Sequence, residues 1–140
     1  MRNFLKINFL ISLFGTFGSL YFSEVMRFPP CTLCWYQRVF FYPLVFIFGV
    51  AMWTEDKGYR KYALPMALFG LAIALYHNLL YYGVISEALA PCTQDVSCST
   101  KQLELFGFIT IPLLSMMGFL ITTALLAVDT NDHERTLNEK

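Results

Sequence analysis

The chain has 140 residues, of which 56% are hydrophobic, 17% aromatic and only 14% charged; ten basic and ten acidic side chains leave no net charge. Soluble chains carry about a quarter charged residues, so this composition excludes an ordinary soluble globule. With no basic surplus and no acidic tract, it also gives no reason to expect a nucleic-acid partner.

The charges cluster, leaving uncharged runs at Ile7–Ser23, Val39–Thr54, Tyr62–Ser86 and Leu105–Val128, of 17, 16, 25 and 24 residues. About 20 apolar helical residues cross roughly 30 Å of hydrocarbon. The last two runs suffice alone; Leu5 and Lys6 extend the first, and "CWYQR", with Arg38 snorkelling, extends the second. The expected fold is all-α and integral to the membrane: a four-transmembrane-helix bundle over residues 1–128, with a polar tail, 129–140, expected to be frayed or disordered.

The first helix follows Arg2 and Lys6 and could be mistaken for a signal peptide. Its exit, "SLYFSEVM", offers no A-x-A-like cleavage site, and its apolar run exceeds the usual core, so a retained helix is expected. "GTFGS" within it is a small-residue face suited to close helix approach. Next come Pro29 and Pro30, then Cys31 and Cys34 at the predicted start of helix two, where Pro43 is expected to introduce a kink. The connection "EDKGYRK" turns through Gly58, and Pro65 suits a first turn of helix three. That helix holds His77 in "ALYHNLLYYG". The following loop, "APCTQDVSCSTKQLE", carries Cys92 and Cys98, and its length without periodicity suggests a mobile or functional segment. Pro112 is expected to kink helix four, and His133 lies in the tail.

Lys and Arg placement sets orientation. With the N-terminus inside, Arg2, Lys6, Lys57, Arg60, Lys61, Arg135 and Lys140 are cytoplasmic, and only Arg27, Arg38 and Lys101 lie outside. Both termini are then cytoplasmic in a cell membrane, and two cysteine loops, 24–38 and 83–104, face out into the compartment where disulfides persist.

Four cysteines can make a metal site, two structural bridges or two redox pairs. C-x2-C suits zinc, but the C-x5-C of Cys92 and Cys98 exceeds the usual ligand gap, so no metal is expected of the four. A structural bridge between Cys92 and Cys98 stays open. The Cys31/Cys34 pair closes too small a ring to be a useful staple. At a helix start it gains thiolate stabilisation, and Arg38, one turn after Cys34, adds a cation on the same face. This pair reads as redox-active. Net disulfide formation needs an electron acceptor beyond thiol exchange; in a bilayer that is a quinone, menaquinone or ubiquinone. Arg38 can donate to its carbonyl oxygen, or serve as an interfacial anchor. His77 is an ionisable group at membrane depth, expected either to handle a proton or donate at the quinone, or to be hydrogen-bonded between helices. Trp35 and Tyr36 read as interfacial aromatics, and Glu24, Arg27, Glu87, Asp95 and Lys101 as solvated loop charges.

With "CTLCWYQR" opening helix two, "LYHNLLYYG" in helix three and "CSTKQLELFGFITIP" leading into helix four, the chain resembles the disulfide bond formation protein B (DsbB) family, in its short Gram-positive BdbC type. The resemblance covers nearly the whole chain. It implies a membrane thiol:quinone oxidoreductase that reoxidises an extracytoplasmic thioredoxin-like thiol oxidase of the DsbA/BdbD type. In that relay the partner's thiolate attacks Cys92, the freed Cys98 attacks Cys31, and Cys34 delivers electrons to the quinone, with Arg38 polarising a carbonyl and His77 nearby. The C-x5-C pair is shorter than in the long enterobacterial members, whose amphipathic loop helix is not evident here. Two other classes compete: a membrane scaffold with structural disulfides, and an enzyme resembling vitamin K epoxide reductase, whose C-x-x-C comes after its loop pair rather than before it.

Overall fold

In hydrocarbon every backbone N–H and C=O must be satisfied within the spanning segment, so long apolar runs close on themselves as helices. The computed structural model describes residues 2–27, 31–86, 104–105 and 109–138. The chain forms α1 (Arg2–Leu20), prolonged by a π-helical turn at Tyr21–Val25, then α2 (Thr32–Thr54), α3 (Arg60–Tyr81) and α4 (Ile111–Asn138). A two-residue antiparallel ladder, β1 (Glu104–Leu105) on β2 (Ile109–Thr110), precedes α4. The stretches Asn3–Val25, Thr32–Thr54, Arg60–Tyr81 and Ile111–Asp129 are each long and apolar enough to cross a membrane.

Burial is inverted relative to a soluble protein. Trp53 is 91% exposed, Phe46 73% and Phe14 72%, whereas Asn8, Ser12 and Thr122 are wholly buried. Apolar side chains gain nothing by leaving lipid, so such a bundle turns its polar and small residues inward. The protein is an all-helical, multi-pass membrane bundle. α3 packs most extensively on α4 and α2, and α1 on α2 and α4, so the four helices close a ring. Leu44, Phe48, Ala63, Ala67, Ala74, Phe119 and Leu126 form its centre.

Small residues set the approach distances. A Cβ on Gly70 would overlap the Phe119 ring, and one on Gly15 the Phe41 ring, while those two rings meet edge-on at 4.8 Å. The "GTFGS" face therefore works through Gly15, as a notch for an aromatic ring; Gly18 has open space around it.

Several sequence expectations change. Pro65 lies in the second turn of α3, because the helix begins earlier, at Arg60. Pro112 is the second residue of α4 rather than an interior kink, since Ile109–Thr110 just before the helix form the extended β2. There its missing N–H costs no helical bond, and Thr110 Oγ1 accepts from Leu113 N at 3.4 Å as a cap. Helix three ends at Tyr81, with Gly83 in the left-handed region (φ +74°), so His77 is one turn from the helix end rather than deep within it.

The polar tail is also corrected: α4 continues through it to Asn138. Asp129, assigned to that tail, is buried; its Oδ2 accepts from Arg60 Nε at 2.6 Å and from the Tyr59 hydroxyl at 2.8 Å. Burial, reinforced by this bond, pushes the Tyr59 hydroxyl up to about 12. The cluster fastens the start of α3 to α4 at the end of the bundle remote from Cys31.

Candidate active site

Cys31 is the N-cap of α2, with extended backbone (φ −69°, ψ 165°), and its sulfur accepts from the Cys34 backbone N–H at 3.3 Å. An N-cap side chain satisfies one of the four free N–H groups that open a helix, and a thiolate there also meets the positive end of the helix dipole. Three residues on, the Cys34 sulfur returns to within 2.8 Å of the Cys31 sulfur, and both thiols are free. The Cys34 thiol, then His77 and the Cys34 N–H, hold the Cys31 sulfur well below the usual thiol range, although burial opposes them. A thiolate on Cys31 is thus stabilised by these contacts and by the helix end.

α3 brings His77 to this sulfur. Ala63, Ala67, Gly70, Ala74 and His77 recur at three- and four-residue spacing, so one buried stripe of small residues ends in the imidazole. His77 Nε2 lies 3.7 Å from Cys31 Sγ, and Nδ1 lies 3.2 Å from the Gln37 amide nitrogen. If that nitrogen donates to Nδ1, the ring proton sits on Nε2 and points at Cys31. Asn78 beside it donates to the carbonyls of Ala74 (2.8 Å) and Pro112 (2.9 Å), fixing α3 against the start of α4.

Arg38 projects from the next turn of α2 and docks on α1. It donates to Ser19 O at 3.0 Å and Ser23 Oγ at 3.3 Å, with its guanidinium 5.4 Å from the Trp35 ring centre. Among the described residues no carboxylate pairs with it.

Cys34, Gln37, Arg38 and Tyr42 line one end of a cavity of about 560 Å³ between α1, α2 and α4. The remaining wall is almost wholly apolar, with Phe14, Phe22, Phe41, Met117 and Phe119 among its residues. Tyr42 carries a buried hydroxyl with no partner among the described residues, one turn beyond Arg38. The volume falls within the range of small-molecule sites, and a few polar groups closing an apolar slot suit a flat, hydrophobic ligand with polar oxygens. His77 is not on this wall; it stands behind the dithiol, on Cys31.

The structure thus brings Cys31, Cys34, Arg38 and His77 together at one end of the bundle, whereas Cys92 and Cys98 lie outside the described residues. Sequence reasoning missed Gln37 and Tyr42. Gln37 did carry a signal, an amide three residues after Cys34 in a spanning helix; Tyr42 was hidden among many aromatics.

The family model described as disulfide bond formation protein DsbB matches residues 1–128. The chain is 43% identical over 118 residues to disulfide bond formation protein C of Bacillus subtilis (strain 168), covering 84% of this chain and 86% of the relative. It is 46% identical over 109 residues to probable disulfide formation protein C 1 of Bacillus anthracis, covering 78% of each. A probable disulfide formation protein of Metapseudomonas resinovorans is 39% identical over 127 residues, 90% of this chain and 88% of the relative. No solved structure matches the chain.

Proposed function

This chain belongs to the disulfide bond formation protein DsbB family and is an oxidoreductase of disulfide-bond formation, and on that premise we propose that it passes electrons from an extracytoplasmic thioredoxin-like thiol oxidase to a membrane quinone. The observation that carries the reading is the position of Cys34: half of a free dithiol on the wall of an apolar cavity that also holds Arg38, which no carboxylate among the described residues pairs with.

A bound quinone supplies a two-electron, two-proton acceptor; the cavity's size, its apolar wall and the Tyr42 hydroxyl, without a partner among the described residues, fit such a group. Arg38 and Tyr42, one turn apart on α2, would donate to its oxygens. Cys34 would offer its sulfur toward the cavity. The Cys31 thiolate, 2.8 Å behind it, would form the S–S bond with the Cys34 sulfur as that sulfur gives up its proton and the pair's two electrons pass to the acceptor. Starting from one thiolate and one thiol, the pair loses two electrons and one proton, and the acceptor's second proton comes from solvent. His77, donating to Cys31, keeps that sulfur anionic and aimed, and acts through it.

The pair is re-reduced by thiol exchange. A dithiol formed by Cys92 and Cys98 would attack the Cys31–Cys34 disulfide, becoming a disulfide itself, and would in turn take its electrons from the partner's dithiol. Each exchange breaks one S–S bond and makes another, so electrons are conserved until they leave at Cys34. The excess of Lys and Arg in the termini and the 55–61 turn supports cytoplasmic termini in the cell membrane, with both cysteine loops outside.

The test is reconstitution of the purified chain with a reduced thioredoxin-like protein and a quinone, following quinone absorbance. Reduction is expected to be lost in Cys34→Ser and in Cys98→Ser. Reduction that persists in Cys34→Ser would overturn the reading.

A further inference from the structure

Among the described residues, three potential metal ligands converge at one point: Cys31 Sγ, Cys34 Sγ and His77 Nε2 all lie within 4.8 Å of one another. Cys92 and Cys98 have the wrong spacing to complete a zinc site of four cysteines. The fold offers a different donor set, in which an imidazole from α3 joins the dithiol of α2. We propose that the reduced protein binds a soft divalent d10 cation, zinc by availability, at Cys31, Cys34 and His77, and that this occupation withholds the dithiol from oxidation.

The distances can be checked against zinc's own bond lengths. With Zn–S about 2.3 Å and Zn–N about 2.0–2.1 Å at tetrahedral angles, a sulfur and a nitrogen ligand stand roughly 3.5 Å apart. Cys31 Sγ and His77 Nε2 stand 3.7 Å apart. Two sulfurs on one zinc stand roughly 3.8 Å apart, against 2.8 Å here, so the Cys34 sulfur must move by about 1 Å. C-x2-C at a helix start is a spacing that zinc accepts, and two thiolates with one imidazole are soft enough to favour zinc over the hard cations. The fourth position is left to water or a thiol.

Binding balances as proton displacement: the cation replaces whatever protons the two thiols hold and takes the lone pair of Nε2. The proton on the imidazole must then reside on Nδ1. Turning the Gln37 amide over presents its oxygen to Nδ1–H across the same 3.2 Å contact, an outer partner of the kind that ligating histidines use. Disulfide formation removes both sulfur ligands, so the site exists only in the reduced state. The inference concerns the dithiol alone and stands whether or not the acceptor is a quinone.

The experiment uses full-length protein carrying Cys92→Ser and Cys98→Ser, so that the loop thiols cannot bind. Zinc is titrated into the reduced and the disulfide forms by competition with a chromophoric chelator. The expected result is about one ion per reduced chain and none per oxidised chain. His77→Ala should weaken binding by at least the roughly 10- to 100-fold that loss of an outer-shell partner costs. Binding equal in both redox forms, no binding to the reduced form, or binding indifferent to His77→Ala would each overturn the site. Should His77→Ala fold poorly, cadmium NMR on the reduced chain decides without that variant: a shift typical of two sulfurs and one nitrogen supports the site, and one typical of two sulfurs with oxygens only overturns it.

Discussion

Cys31 and Cys34 share a helix end yet occupy different environments. One sulfur caps α2 and faces an imidazole, while the other faces an apolar cavity. That division makes two measurable claims. Because the Cys31 thiol is held well below its usual range, chiefly by the Cys34 thiol, its anion is present at neutral pH and is lost only when acidification passes well below that range. Thiolate absorbance of the reduced chain lacking Cys92 and Cys98 should therefore survive into mildly acidic solution. Replacing Cys34 by Ala removes the largest cause and should move the midpoint upward; an unmoved midpoint would show that the dithiol contact is not responsible. Arg38 makes the second claim. A hydrogen bond from a charged group contributes about 1.5–3 kcal/mol, so Arg38→Ala should raise the KM for quinone roughly 10- to 100-fold. Arg38→Lys should recover only part of this, because an ammonium cannot span Ser19, Ser23 and a ligand as the planar fork can. Steady-state rates against quinone concentration check it; an unchanged KM in the alanine variant would remove Arg38 from the proposed quinone site.

At the scale of elements, the site is held by how closely the helices approach. The stripe Ala63, Ala67, Gly70 and Ala74 lets α3 lie close enough to α2 and α4 for His77 to reach Cys31, and the Phe119 ring occupies the space Gly70 leaves. Overpacking a closely packed core typically costs about 1–3 kcal/mol. Gly70→Ala should therefore lower the thermal midpoint in detergent, and adding Phe119→Leu should restore part of it. An additive loss in the double variant would mean that the two residues do not meet. The sequence marked the spans and placed Cys31 near the start of α2, since apolar run length and helix capping are local properties. It misplaced the helix start before Pro65 by two residues, and Pro112 and the end of helix three by more than a turn, because the two helix starts answer to contacts with other elements: Asp129 at Arg60, and β2 ahead of Ile111.

For the whole molecule, the bundle is clamped at both ends by different chemistry. Near the dithiol, Asn78 joins α3 to the start of α4; at the other end, Tyr59 and Arg60 meet Asp129. Removing one partner of a buried ion pair leaves an uncompensated charge and costs about 3–5 kcal/mol, whereas replacing both by apolar residues is often neutral. Asp129→Ala should thus destabilise the chain strongly, and Arg60→Met with Asp129→Leu should come close to the parent in detergent unfolding. A domain boundary at residue 128, as expected from the sequence, would leave a chain truncated after Val128 with its whole bundle. The ion pair leads to the opposite expectation, and comparing truncations after Val128 and after Thr130 decides between them. Equal stability of the two would demote the pair to a bystander.

What the sequence determined by itself was whatever can be decided along one segment: four spans, the helix start behind the dithiol, and residue types suited to two-electron thiol chemistry. Which residues meet across segments was decided by the tertiary structure. His77 on Cys31, Gln37 on His77, Phe119 in the gap of Gly70, and Asp129 on Arg60 from 69 residues away all depend on the rotation of each helix about its own axis. Periodicity marks an inward stripe but not the partner it faces. The partner is selected only when all four helices pack at once, because in lipid it is close packing and interhelical hydrogen bonds, not apolar burial, that distinguish one rotation from another.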